Sequence, residues 1–112
     1  LLNLGHTVGH ALEVLSEYTL PHGKAVGYGI VIEARISHAM GILSYDDLKI
    51  IEAHFPPLDY VFDVDALLLK LDKPFVLLKN IGEPFVENEN YKHRVPHEMI
   101  KEVLHATCLC SC

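Results

Sequence analysis

The 112 residues carry nine Lys or Arg against fifteen Asp or Glu, a formal net charge of -6 with a pI near 5.7, and that acidic balance lacks the basic patch a nucleic-acid binder needs. Half the residues are apolar, enough for one domain that buries roughly two-thirds of its unfolded surface. The longest apolar run, Ala25 to Ile32, stops at Glu33, well short of the roughly 20 residues of a membrane span.

In chain order, the first expected element is a helix over residues 4–18. Val8, Ala11, Leu12 and Leu15 recur at helical spacing, with Glu13 and Glu17 on the other side. Gly5 and Gly9 stand four apart and leave one flank of that helix bare. Each costs roughly 1 kcal/mol of helix stability against Ala. Such a cost fits a close approach of something to the backbone: a ligand, a second helix or another domain. Pro21-His22-Gly23 reads as a turn feeding a second helix. Residues 23–40 are apolar nearly all round until Glu33, the pattern of a buried central helix. Gly27 and Gly29 again permit close packing, and Gly41 suits the C′ position that ends it.

Ser44 reads as an N-cap, with Asp46 and Asp47 at the positive end of a third helix that runs to about His54 and stops before Pro56-Pro57. Asp63 or Asp65 opens a short helix through Leu71, with Ala66, Leu67, Leu68 and Leu69 expected inward. Pro74 to Leu78 is short and β-prone, and with Ile81 to Val86 it suggests a small hairpin. Residues 87–95 are polar and read as loop. Pro96 and Glu98 suit the start of a last helix whose apolar face is Met99, Ile100, Val103 and Leu104. The chain is therefore expected to be mainly α, multi-helical, with at most one small β-hairpin. Cys108, Cys110 and Cys112 crowd the last five residues. An odd, terminal set is no disulfide framework and reads as reduced thiols on a frayed tail rather than a soft-metal site. Reduced thiols favour a cytoplasmic location.

The chemistry sits in the histidines. His6 and His10 are four apart, so on a helix they share one face. His22 follows at the turn and folds back toward that pair. Taken singly, each is better read as a core or solvated histidine. Taken together, with a glycine beside each, they point to a metal or substrate site. Neutral imidazole is a good zinc ligand. A catalytic zinc usually takes three protein ligands and leaves one position open, and from spacing alone His6, His10 and His22 supply all three. His38, His54, His93, His97 and His105 match no motif and read as surface or helix-end residues.

The run Asn3-Leu4-Gly5-His6-Thr7-Val8-Gly9-His10-Ala11-Leu12-Glu13, followed by His22-Gly23-Lys24-Ala25-Val26 and Gly29, resembles the 3-dehydroquinate synthase family of the shikimate pathway. The resemblance weakens after residue 43 but continues through Asp72-Lys73, Phe75 to Leu78 and Ile81-Gly82. It implies the family's C-terminal helical domain across residues 1–112, with the N-terminal NAD-binding domain outside this chain. It implies that His6 and His22 bind Zn2+ or Co2+ with a glutamate from the other domain. His10 would line the substrate pocket near the phosphate and the proton transfers. Asn3 and Lys73 would bind the substrate, a seven-carbon sugar-acid phosphate. The full-length enzyme is expected to use NAD, to be a cytoplasmic homodimer, and to have neither nucleic-acid nor membrane partners.

Two departures from the family pattern stand out. The arginine expected a few residues before Asn3 falls off the start of the chain, and Asp72-Lys73 runs directly into Pro74-Phe75 where the family has a basic, glycine-rich loop. The chain starts with Leu inside a motif and shows no signal peptide or Gly-rich dinucleotide loop. It is expected to be a piece of the enzyme and inactive alone. Competing readings are another sugar-phosphate cyclase, a metal-dependent polyol dehydrogenase of the same architecture, a non-catalytic helical module stabilised by metal, and a plain structural domain.

Overall fold

A computed structural model of the chain describes residues 6–55, 62–71, 75–80, 83–84, 86 and 92–107. The elements are α1 (His6–Leu15), α2 (His22–Ala39), α3 (Tyr45–His54), α4 (Val64–Lys70), β1 (Phe75–Val76), β2 (Leu78–Asn80), β3 (Glu83–Pro84), β4 (Lys92–His93) and α5 (His97–Thr107). The fold is mainly helical, as the periodicity predicts. Among the described residues no helix is long and apolar enough to cross a membrane.

Helix α2 is the axis of the molecule. One side joins a core made with Val8 and Leu12 of α1, Leu67 of α4, Phe75 of β1, and Ile100 and Leu104 of α5, through Tyr28, Ile32 and Ile36. Its other side supplies Ala34 to a second cluster with Leu43, Leu48, Ile51 and Leu78. Two separate apolar layers on one helix explain why its sequence shows no polar face. Glu33, read from the sequence as the end of the apolar run, is itself fully buried. Ser37 ties α2 to the β2 strand: its hydroxyl donates to the Glu33 carbonyl and accepts from the Leu78 amide, both at 2.8 Å.

The ends of the helices follow the cap chemistry in the sequence. Gly41 has φ +79°, and its amide donates to the His38 carbonyl, the left-handed C′ position that glycine fills without a Cβ penalty. Ser44 accepts from the Asp47 amide at 3.1 Å and opens α3. Asp63 accepts from the Asp65 and Ala66 amides and opens α4. His38 and His54 lie in last turns, where Nδ1 of each stands about a hydrogen bond from a carbonyl, 2.9 Å from that of Leu43 and 3.0 Å from that of Ile50.

Three expectations need correction. Helix α1 stops at Leu15 rather than near residue 18, because Glu17 and Tyr18 adopt φ +54° and +62°. Left-handed residues cannot continue a right-handed helix and cost roughly 1–2 kcal/mol each outside glycine. The Ser16 hydroxyl holds this turn, donating to the Glu13 carbonyl and accepting from the Leu20 amide. Leu69, expected inward, is 81% exposed. On so short a helix, Val64 and Leu67 already fill the side that faces the core. The hairpin is β2 with β3, paired antiparallel with a register shift between Leu78 and Asn80. Around it β1 pairs antiparallel with β4, so Lys92 and His93 are strand rather than loop. Pro56-Pro57 and the three cysteines lie outside the described residues.

Among the described glycines, the tightest contact is the one that joins α1 to α2. A Cβ built on Gly9 would stand 2.9 Å from the Ala25 carbonyl oxygen and 3.2 Å from Val26 Cα. Those are backbone atoms, which cannot rotate away. The close approach anticipated at Gly9 is therefore that of a second helix of this chain. Gly27 is tight as well, with a ring carbon of Phe55 3.2 Å from where its Cβ would sit.

Arg35 joins three helices. It donates from Nε to Glu52 of α3 at 2.7 Å and from Nη1 to Thr107 of α5 at 3.0 Å. Lys49 donates to the other oxygen of Glu52 at 3.2 Å. Partial burial alone would raise the Glu52 carboxyl, but the hydrogen bonds and charges of Arg35 and Lys49 outweigh it and hold the group below its ordinary 4.5.

Two outcomes follow. Gly9→Ala gains roughly 1 kcal/mol of helix propensity against an overpacking cost of about 1–3 kcal/mol or more, and the rigidity of the opposing backbone makes the net a loss. The variant should melt below the parent protein; a higher melting temperature would show that the helices separate freely. Glu52, with a depressed carboxyl pKa, contributes stability that is fully present above pH 4.5 and lost as pH falls below that value. Glu52→Gln should therefore flatten the acid limb of a stability-versus-pH curve below pH 4.5, and an unchanged acid limb would remove Glu52 from the account.

Candidate functional site

The site is built on the stripe of α1 that faces away from the core. Positions 6, 10 and 13 are separated by four and three residues, so they stack along one side of the helix. Val8, Ala11 and Leu12 are buried on the opposite side. Gly9 lies on the flank between the two and carries the contact with α2. The helices run in opposite directions there: Gly9 meets Ala25, and one turn further along α1 Glu13 meets His22, one turn back along α2.

The contact at that second level is a hydrogen bond of 3.1 Å between His22 Nδ1 and Glu13 Oε2. The Glu13 side chain is 14% exposed and that of His22 is 68% exposed. An ionised carboxylate only accepts, so Nδ1 is the nitrogen that donates. In the neutral ring this leaves the lone pair on Nε2, on an imidazole open to the outside. That is the donor state of a metal-ligating histidine, whose second nitrogen normally donates to a carboxylate or carbonyl. His22 thus fits the role of one ligand.

The other expected residues are placed as follows. His10 is exposed on the stripe. His6 begins α1, one turn before His10, and only its backbone is among the described atoms. Asn3 and Lys73 lie outside the described residues. Among the described residues no three His, Cys, Asp or Glu side chains converge to hold a metal ion. The three-histidine centre allowed by spacing would require the His6 imidazole, which lies outside the described side chains.

At α2 the residue before His22 is Pro21, and among the described residues no side chain caps this end. Helix N-termini are ends at which anions are favoured. The residue that sequence reading missed is Glu13. From periodicity alone it belongs to the polar side of α1 and shows no function. Its distance of three residues from His10 and seven from His6 puts it on the histidine stripe, and that spacing was the available signal.

Residues 1–80 match the model of the family described as 3-dehydroquinate synthase C-terminal. The chain belongs to the 3-dehydroquinate synthase family. A 3-dehydroquinate synthase from Rhizobium meliloti is 34% identical over 80% of this chain and 29% of its own length. One from Pyrococcus abyssi is 35% identical over 93% of this chain and 32% of its own. The chain thus spans about a third or less of the curated relatives it matches. Among solved structures, a 2-deoxy-scyllo-inosose synthase matches with a TM-score of 0.81 at 27% identity, over 94% of this chain and 31% of that one. A 2-epi-5-epi-valiolone synthase from Streptomyces hygroscopicus, solved with NAD+ and Zn2+ bound, matches with a TM-score of 0.75 at 22% identity, over 95% of this chain and 32% of that one. At that identity the likeness is one of fold. These two cyclases therefore share the arrangement of helices seen here.

Proposed function

We propose that this chain is the C-terminal metal- and substrate-binding domain of a 3-dehydroquinate synthase. The whole enzyme would convert 3-deoxy-D-arabino-heptulosonate 7-phosphate to 3-dehydroquinate and phosphate, working as a cytoplasmic homodimer. The observation that carries the reading is the placement of the family motif. Its described parts, residues 6–13 and 22–26, meet across one helix crossing, with the His22 imidazole held by Glu13 and open at Nε2.

In this reading His6 and His22 hold a divalent ion, Zn2+ or Co2+, with a glutamate from the NAD-binding domain. The nicotinamide supplies reversible hydride removal and the metal supplies Lewis-acid polarisation of the substrate's oxygens. The residues of this chain then bind, orient and move protons. His22 presents Nε2 to the ion. His10, exposed on the same stripe, would donate a hydrogen bond to the phosphate oxygens and carry a proton to or from the leaving group. Asn3 would donate its side-chain amide to a substrate hydroxyl, and Lys73 would place a positive charge near the substrate's anionic groups. The NAD-binding domain would close the other wall of the cleft, as active sites commonly lie between domains.

A second reading is favoured by one observation, the 27% identity to a 2-deoxy-scyllo-inosose synthase across nearly the whole chain. In that reading the domain serves a different sugar-phosphate cyclase. The complete enzyme with NAD+ and Zn2+ should release phosphate from the heptulosonate phosphate and form a product absorbing as 3-dehydroquinate. Turnover of a hexose 6-phosphate instead would establish the second reading.

Metal analysis of purified variants of the complete enzyme tests the residue roles. His6→Ala and His22→Ala should each lose bound metal, whereas His10→Ala should retain it and lose turnover by about 100-fold or more, in the range of a missing general acid or base. Metal loss in His10→Ala would instead favour the three-histidine centre.

A further inference from the structure

We propose that Glu13 is the positioning residue for the His22 imidazole, fixing which ring nitrogen faces the metal. The inference rests on the reading of His22 as a ligand. It adds a residue of α1 that acts through His22 rather than on substrate.

Three observations converge on Glu13. Its Oε2 is 3.1 Å from Nδ1 of His22. Its side chain is 14% exposed although it lies on the polar side of α1, so the carboxylate is set into the helix crossing rather than extended into water. Its Cα lies four residues beyond Gly9, the position at which the two backbones are locked together. The hydrogen bond therefore joins two points whose separation the helix packing already fixes.

The chemical consequence is specific. A histidine with two free nitrogens offers either one to a metal and rotates between them. The Glu13 carboxylate accepts only, so it selects the ring orientation and tautomer in which Nδ1 donates and Nε2 keeps its lone pair. It also increases the electron density of the ring, which strengthens the ligand. Removing such a partner typically weakens metal affinity by 10–100-fold. A histidine held only by its own χ angles would lose that advantage, although the ligand itself would still be present.

The test is a set of variants of the complete enzyme, stripped of metal and titrated with Zn2+ against a competing chelator. Co2+ absorption is read in parallel. Glu13→Ala should bind Zn2+ about 10–100-fold more weakly. Glu13→Gln keeps an oxygen that accepts from Nδ1 and nearly the same shape, so it should recover most of that loss. Both should give the parent Co2+ spectrum, since the ligands are unchanged. The proposal is overturned if Glu13→Ala binds Zn2+ as tightly as the parent. It is equally overturned if Glu13→Gln binds no better than Glu13→Ala and shifts the Co2+ bands, because Glu13 would then be a ligand itself. Parent-like metal binding by His22→Ala would instead defeat the reading of His22 as a ligand, on which this inference stands.

Discussion

At Gly9 two helix backbones meet with no side chain between them. The Ala25 carbonyl oxygen lies 2.9 Å from where a Cβ would be, so any other residue must push α1 and α2 apart. Glycine weakens the helix that carries it by roughly 1 kcal/mol. In return the crossing sets the register of the antiparallel pair. One turn away it brings Glu13 within 3.1 Å of His22. The histidine-bearing stripe of α1 and the first residue of α2 are thus held together by packing, and no long loop has to position them. The connection itself is short and strained, with Glu17 and Tyr18 in the left-handed region, which suits a turn that must reverse direction within a few residues.

The rest of the domain holds α2 still. Its two apolar sides enter separate cores, one with α1, α4 and α5 and one with α3 and β2. The polar ties reinforce the same helix: Ser37 to the Leu78 amide, and Arg35 to Glu52 and Thr107. A fixed α2 gives the His22 end a stable base while leaving that end exposed. Precise placement with open access is what a shared site at a domain boundary requires. The arrangement accords with membership of a family whose curated members are about three times as long as this chain.

Much of this was legible in the sequence, for identifiable reasons. Helix existence followed from apolar periodicity, and the caps followed from single residues with one job: Gly41, Ser44 and Asp63. The long motif gave the family and named His6, His10 and His22. What escaped were features set by tertiary partners. Leu69 has the same intrinsic preference as Leu67, and only the position of the core separates them. Glu17 and Tyr18 carry no local signal for positive φ, so α1 looked three residues longer than it is. Lys92 and His93 are strand because Phe75 and Val76 pair with them, which composition does not reveal. Glu13 looked like any solvated acid until the helix crossing placed His22 beside it. Gly9 was rightly singled out as a point of close approach, but its partner, α2, is visible only in three dimensions.

The central claim is that helix packing presents His22 with Nδ1 on Glu13 and Nε2 free for a metal. The most direct measurement is an anomalous-scattering map from crystals of the complete enzyme with Zn2+. The account predicts a peak about 2.0–2.1 Å from Nε2 of His22, with Nδ1 still hydrogen-bonded to Glu13. A peak bonded to Nδ1, or to Glu13 itself with His22 turned away, would contradict it.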